Sequence, residues 1–417
     1  MPSNSADPVA RRVAAALDRL AGDLPRLGIA LSGGGDSSAL MHLAKGWARG
    51  RCLMAATVDH GLRPESAEEA RQAHRAAQAL GIAHATLLWR RDNPTGNLMA
   101  AARDARLRLL AGWAERNELS AILLGHTRDD QAETLLMRLG RGAGVDGLSG
   151  MAPARSAFGM TWLRPVLDVS RAELRDWLAA RGIGWLDDPS NDNPDYDRVR
   201  IRKALATLDL PAAQLAQSAA NLAMARDALQ EFAVLVAQGA EARAGSLILP
   251  LTSFRRAPLE IRRRVLVAGL RWITGADYPP RRESILHALT AINTGARIAL
   301  DGVLAEPRGD RLRLIREPAA ALRSGMAEPD ADGSAIWDGR WQVDGLALGE
   351  TVSALGHEAL PGLNWRQSGL GRDEAAASPA VRSGGRIVAA PLLRPDARIV
   401  ADPLRGLEEF RGLLYTH

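Results

Sequence analysis

The sequence predicts an α/β protein: a parallel sheet flanked by helices, then a mainly helical middle segment and a small α+β segment at the C-terminal end. Three observations predict it. Strand-like and helix-like apolar patterns alternate over roughly the first 200 residues, the mark of a parallel sheet with crossover helices. A run of three glycines, Gly33-Gly34-Gly35, sits where the first strand meets its helix. Near Leu210-Pro211 the pattern changes to a long helical stretch in which Leu215, Leu222, Leu229 and Val236 recur every seven residues. The expected domains are 1–210, 211–318 and 335–417.

In chain order, Val9, Val13, Ala16, Leu17 and Leu20 share one helical face ahead of the first strand, which ends in Leu31-Ser32. Ser32-Gly33-Gly34-Gly35-Asp36-Ser37-Ser38 then opens a helix carrying Leu40, Met41, Leu43 and Trp47. Successive N–H groups of a glycine turn at a helix N-terminus form a nest for an anion. The hydroxyls of Ser32, Ser37 and Ser38 offer further donors, so the loop suits phosphate. It lacks the lysine of the Walker loop and the spacing of the dinucleotide fingerprint. Taken alone, it also reads as a tight turn.

A second strand, Cys52 to Val58, ends in Asp59-His60-Gly61-Leu62-Arg63, and a third covers His84 to Trp89. Leu98 to Arg116 reads as a helix bearing Arg103, Arg106 and Arg108, and Ala121 to Leu124 as a strand ending at Gly125-His126. A helix then begins with two carboxylates. Asp129 and Glu133, like Asp130 and Thr134, are four apart and share a helix face. Acids here could simply cap the helix and complement its dipole. Together with His126, at the carboxyl ends of parallel strands where ligands bind, they exceed capping needs. Carboxylates beside a nucleotide suit Mg²⁺.

Gly140 to Gly147 reads as a mobile loop or lid, Ser170 to Arg181 as a helix with a capping box, and Arg198 to Lys203 as an extended basic stretch with its arginines on one side. Arg297 to Leu304 and Arg311 to Arg316 form a predicted hairpin, and Ala319 to Gly333 a predicted linker.

The chain of 417 residues has a net charge of +5, with arginine supplying nearly all the positive charge; its lysines are Lys45 and Lys203. The single Cys52 excludes a disulfide framework and a Cys-x-x-Cys site. No apolar leader or long apolar span is visible, so a soluble, cytoplasmic protein is expected.

Ser32 to Ser37, Val58 to Arg63, Leu124 to Thr134, Arg164-Pro165 and Asp188-Pro189-Ser190-Asn191 resemble, in this order, the motif series of the tRNA(Ile)-lysidine synthetases. These are N-type ATP pyrophosphatases of the PP-loop superfamily, with an adenine nucleotide α-hydrolase-like fold. The likeness covers the first half well and the second by general plan. One departure is Leu107, which stands where the family's Ala-Arg-x-x-Arg-Tyr pattern has tyrosine. The resemblance implies ATP-dependent ligation of L-lysine to C2 of the wobble cytidine in the CAU anticodon of tRNA(Ile). An adenylated tRNA is the intermediate, and the codon read changes from AUG to AUA and the identity from Met to Ile.

It implies ATP as substrate, bound by Ser32, Gly33, Gly34, Gly35, Asp36, Ser37, Asp59 and His60. Asp36, His126, Asp129, Asp130 and Glu133 are the expected catalytic residues, with Mg²⁺ at Asp36 and Asp130. Asp129 or Glu133 could instead hold the lysine ammonium. Arg198, Arg200, Arg202, Lys203, Arg262 and Arg263 are the expected tRNA contacts, although charge runs are commonly only solvated faces. By position, the last segment could also hold tRNA, and a homodimer is compatible with the plan. The alternatives are a PP-loop tRNA thiolase, which normally calls for more cysteines, and a non-catalytic tRNA-binding protein on the same fold.

Overall fold

The computed structural model describes residues 7–61, 65–90, 98–186 and 197–415. The chain divides into two compact units, Met1–Ala225 and Arg226–His417.

In the first unit α1 (Pro8–Ala21) precedes β1 (Arg26–Ala30), α2 (Gly35–Trp47), β2 (Cys52–Asp59), α3 (Ser66–Ala79), β3 (Ala83–Leu88), α4 (Leu98–Arg116) and β4 (Ala121–Leu123). Then come α5 (Arg128–Leu139), α6 (Val145–Leu148), the hairpin β5 (Ala154–Ala157) and β6 (Met160–Leu163), α7 (Arg171–Ala179), α8 (Asp197–Thr207) and α9 (Ala212–Val236), in which the boundary between the units falls. The strands form one sheet in the order β3-β2-β1-β4-β6-β5, parallel except for the edge strand β5.

β1 is apolar on both faces, as a strand covered by helices on each side must be. Leu27, Ile29 and Leu31 pack with Leu17, Leu40, Met41 and Leu174 in one core. Ala30 turns to a second core with Leu110, Trp113, Ile122 and Trp162. Position 28 faces the same side, and glycine is required there because a Cβ would come within 2.8 Å of the Trp113 ring. β2 and β4 flank β1, so the strand order reverses at β1 and the crevice at its carboxyl end is the ligand position of such sheets.

Two expectations for this unit change. Gly140 to Gly147 is not a free lid: it runs into α6, and Arg138 donates to the carbonyls of Gly147 (2.8 Å) and Gly150 (3.1 Å). Gln131 adds paired bonds to the Met151 backbone. The stretch from Arg198 to Lys203 is helical, not extended, which separates Arg200 from Arg198 and Arg202. Leu62, Arg63 and Asp188 to Asn191 lie outside the described residues.

The second unit opens with β7 (Glu241–Arg243), β8 (Ser246–Pro250), α10 (Leu251–Arg256), α11 (Leu259–Thr274), α12 (Arg282–Thr294), β9 (Ile298–Leu300), β10 (Val303–Arg308) and β11 (Arg311–Arg316). Its antiparallel sheet runs β7-β8-β11-β10-β9. The strand expected over 297–304 is broken at Asp301-Gly302, both in the left-handed region, into a tight turn between β9 and β10. The expected linker begins as α13 (Pro318–Arg323), with Pro318 at the first turn, and Ala327 bridges to Val352.

Beyond it lie β12 (Ala335–Trp337), β13 (Trp341–Asp344), β14 (Glu350–Ala354), α14 (Arg372–Ala376), β15 (Pro379–Ser383), β16 (Arg386–Ala389), β17 (Val400–Pro403) and α15 (Leu407–Tyr415). The strands make two small sheets, β12-β13-β17 and β14-β15-β16. α15 returns Phe410 and Leu414 to the core built around α11. Among the described residues no helix is long and apolar enough to cross a membrane.

Candidate active site

The glycine loop is braced by its own hydroxyls. Gly33 takes a left-handed φ of 85°, where a Cβ would also meet Leu186 at 2.7 Å. Ser37 Oγ donates to the Gly34 carbonyl at 3.0 Å and accepts from the Ser32 N–H at 3.2 Å. The Ser32 hydroxyl, 3.0 Å away, is therefore left to donate to Ser37. Ser38 Oγ donates to the Gly33 carbonyl at 3.1 Å. Sequence reasoning expected these hydroxyls to face a phosphate. In the structure Ser37 and Ser38 close the turn, which leaves the backbone N–H groups at the start of α2 as the donors that suit an anion.

β4 brings the second motif against this loop. A Cβ on Gly125 would lie 3.1 Å from the Ser37 backbone, so glycine permits the approach. Thr127 caps α5. Asp130 completes a capping box, its Oδ2 accepting from the Thr127 N–H (2.8 Å) and hydroxyl (2.9 Å). One oxygen of Asp130 thus does the capping that a structural reading assigns it. The other faces Arg171 Nη2 at 3.5 Å and Arg198 Nη1 at 3.6 Å.

Four carboxylates surround Arg171, the second residue of a capping box that begins at Ser170. Its Nε lies 3.2 Å from Asp36 Oδ2 and its Nη1 3.4 Å from Glu133 Oε1. Its backbone N–H donates to Asp129 Oδ2 at 2.8 Å. Burial alone would lower the Arg171 pKa, but Asp130, Asp36, Glu133 and Asp129 raise it instead, so it stays charged. Burial also penalises the Asp36 carboxylate, and despite Arg171 its pKa is raised. For Asp130 burial acts the same way, but the Thr127 N–H and Arg171 outweigh it and hold the carboxyl below its ordinary value.

Arg171 is the site residue that sequence reasoning missed. Its place directly after a good N-cap serine made it read as an ordinary helix start.

Two carboxylate oxygens here, Asp36 Oδ1 and Glu133 Oε2, are buried without a hydrogen-bond partner. Such oxygens fit a cation. A Mg²⁺ bound by one or two carboxylates and phosphate oxygens suits Asp36 Oδ1, with Asp130 beside it.

His126 is neutral. Burial pushes its pKa down to about 4, with Asp130 opposing and Arg164 reinforcing. Arg164 Nε donates to His126 Nδ1 at 3.2 Å, which leaves the ring proton on Nε2. His126 is thus a hydrogen-bond donor at neutral pH rather than an acid. Around it Arg103 and Arg106 of α4, Arg155 of β5, Arg164 and Arg198 lie within electrostatic reach of one another. Burial and mutual repulsion lower the pKa values of Arg103, Arg106 and Arg164, the last to about 10. The concentration of positive charge suits a polyphosphate.

At the end of β2, Asp59 Oδ1 accepts from the Gly61 N–H at 2.8 Å in an Asx turn. His60 stands edge-on to Trp89 at 5.7 Å, and its Nδ1 is buried without a partner. Leu107 packs at the edge of the α4 core.

Helix α8 sorts the expected basic residues. Arg202 Nε donates to Glu133 Oε1 at 3.0 Å, and Arg198 faces Asp130. Arg200, paired with Asp197, and Lys203 point to solvent. A cavity of about 310 Å³ opens beside Asp129, Glu133, Arg171 and Arg202, with Leu205 and Leu210 on its apolar side. In the second unit Arg263 pairs with Glu260 at 2.7 Å and Arg262 is half-buried. Arg264, in the same run, is fully buried, so the run is not one solvated face.

A strand–glycine loop–helix at the switch point of a parallel sheet, facing acids at the end of β4, defines a PP-loop protein. The PP-loop domain family matches residues 6–208. Over 402 residues the chain is 45% identical to a tRNA(Ile)-lysidine synthase of Ruegeria pomeroyi, covering 94% of each chain. A tRNA(Ile)-lysidine synthase of Rhodopseudomonas palustris is 38% identical over 320 residues, 70% of this chain and 91% of that one. The U34-tRNA thiolase of Methanococcus maripaludis superposes with a TM-score of 0.44 at 16% identity, over 51% of this chain and 76% of that one. The chain belongs to the tRNA(Ile)-lysidine synthase family. It is a PP-loop enzyme that uses ATP, and the relatives do not favour the thiolase alternative.

Proposed function

We propose that this enzyme ligates L-lysine to C2 of the wobble cytidine of a CAU-anticodon tRNA(Ile), splitting ATP to AMP and pyrophosphate. The observation that carries the proposal is the cavity beside Asp129 and Glu133, which shares Arg171 with Asp36 of the PP loop, in a chain matched over 94% of its length by a lysidine synthase. Its acids fit an ammonium group, and Leu205 and Leu210 fit an aliphatic stem.

In the first half-reaction the cytidine C2 oxygen attacks the α-phosphorus of ATP and pyrophosphate leaves. The N–H groups of Gly34 to Ser37 would hold the phosphates, and the arginines around His126 would offset the charge that develops on the leaving group. Bound Mg²⁺, held by Asp36 and Asp130, would supply further charge compensation. His126 Nε2–H is proposed to donate to a phosphate or base oxygen, and His60 to meet the adenine edge. In the second half-reaction the lysine ε-amine attacks C2 and AMP leaves. Glu133, whose Oε2 has no partner, is the acceptor proposed for the proton that the ammonium must lose.

Arg198, Arg200, Arg202, Lys203, Arg262 and Arg263 are proposed as tRNA contacts, of which Arg200 and Lys203 are the most exposed.

The test is pyrophosphate release from ATP with tRNA and lysine added or withheld. Release should need tRNA, and AMP release with adduct formation should need lysine as well. Pyrophosphate release that needs neither would overturn the reading. Glu133→Gln should raise the KM for lysine at least tenfold and leave that for ATP within about twofold.

A further inference from the structure

The peptide unit that enters the PP loop, between Leu31 and Ser32, is gripped from both sides. Its N–H donates to Ser37 Oγ at 3.2 Å. Its carbonyl accepts from Thr57 Oγ1 of β2 at 2.7 Å. The first grip belongs to the loop motif. The second comes from a residue that neither the motif nor the proposed chemistry uses.

The Thr57 contact belongs to a longer chain whose direction is fixed by proton counting. A carbonyl can only accept, so the single Thr57 hydroxyl proton is committed to Leu31. His84 Nε2, 2.8 Å from Thr57 Oγ1, must then be the donor. With its proton on Nε2, a neutral His84 has a bare Nδ1. His74 Nδ1 lies 3.2 Å from it and must carry the proton between them. The two rings meet edge-on at 5.2 Å. Burial and the neighbouring His74 push the His84 pKa down to about 4, so the neutral ring that this pattern needs is present at physiological pH. Protonating His74 on its other nitrogen leaves the pattern intact, whereas protonating His84 sets two donors against each other.

We infer that Thr57 and His84 are positioning residues for ATP, forming with His74 a one-way relay, His74→His84→Thr57→Leu31, that sets the plane of the Leu31–Ser32 peptide and so aims the following N–H groups. The relay has no need to touch the nucleotide. Thr57 is almost fully buried; β2, which carries it, pairs with β1 on the edge opposite β4 and His126, and β3, which carries His84, lies beyond β2. The inference rests on the ATP-phosphate contacts proposed above for the loop, and its effect is confined to ATP binding.

The experiment uses the full chain with Thr57→Val, which keeps the shape and removes the hydroxyl, and Thr57→Ser, which restores it. Thr57→Val should raise the KM for ATP at least threefold and at most about tenfold, the ceiling set by the worth of one buried hydrogen bond. The kcat and the KM for lysine should stay within about twofold, and Thr57→Ser should recover most of the loss. In the wild type, imidazole nitrogen spectra should show His84 protonated on Nε2 and His74 on Nδ1, the less common neutral tautomer in water. An unchanged KM for ATP in Thr57→Val, a parallel fall of kcat for every substrate, or His84 protonated on Nδ1 would each overturn the relay. If the wild type instead shows no tRNA- and lysine-dependent use of ATP, the proposed function fails. The relay is then judged by calorimetric binding of ATP alone, which Thr57→Val must weaken by the same factor.

Discussion

Arg171 reaches 135 residues back along the chain to place its Nε 3.2 Å from Asp36 Oδ2. This one guanidinium ties the start of α7 to the PP loop and, through Asp130 and Glu133, to the acids of α5. Without it, among the described residues, Asp36 would lose its ion pair, while Asp130 would keep only Arg198 and Glu133 only Arg202 as ion-pair partners. Arg171→Met should cost roughly 3 kcal/mol of stability, as expected when one partner of a buried charge cluster is removed. Thermal melting measures the loss. Steady-state kinetics should show kcat/KM for ATP down about a hundredfold, because Asp36 loses its anchor. A variant with normal kinetics and normal melting would show that Arg171 merely fills the cage.

Asp36 presents the opposite case. Its folded pKa is raised, so its ionised form is less favourable in the native state than in the unfolded chain. The penalty is full at neutral pH and disappears as pH falls below the unfolded carboxyl value. Asp36→Asn should therefore melt at the wild-type temperature or above it while losing adenylation, measured as pyrophosphate release. A lower melting temperature at pH 7 would mean that the charge is stabilising.

Stability should also depend on pH through His126. Its folded pKa of about 4 lies below the ordinary histidine value, so its contribution is complete above about pH 6.5 and declines as pH falls towards 4. Between pH 7.5 and pH 5 this amounts to roughly 1–2 kcal/mol by linkage. His126→Asn should flatten that part of the melting profile. Denaturant titrations of both proteins at the two pH values make the comparison.

Burial divides the basic run of α11. Arg262→Ala combined with Arg263→Ala should raise the KM for tRNA and reduce the salt slope of binding by about 2, with the KM for ATP unchanged. Arg264→Ala should lower the melting temperature and leave the tRNA salt slope alone, because its side chain is enclosed. Filter binding over a salt series distinguishes the two. An unchanged slope in the double variant would make the run structural throughout.

Much of the fold was legible because local signals agreed with the tertiary outcome. The strand–loop–helix at Ser32, the apolar run of β1 and the Ser170 capping box all formed as their chemistry dictates. The acids after His126 were legible because their number exceeded what a helix cap needs. Arg171 was not, since a long-range ion pair leaves no local periodicity to detect. Arg198 to Lys203 misled because alternating charge suits an extended chain, whereas Glu133 and Asp130 recruit Arg202 and Arg198 onto one side of a helix. Asp301-Gly302 split a predicted strand because a two-residue turn can sit inside an otherwise continuous β pattern. The role of the loop hydroxyls could not be read from composition, because a serine that braces a turn and one that binds phosphate look the same.

Gly125 carries a consequence for inheritance. Two motifs separated by almost a hundred residues touch there only because one methyl group is missing, with 3.1 Å between the would-be Cβ and the Ser37 backbone. Neither side has a flexible end that could give way. A single-nucleotide change to alanine or serine would wedge the two motifs apart while sparing every chemical group of the site. Position 125 is therefore where conditional alleles should be sought, tolerated at low temperature and failing on warming.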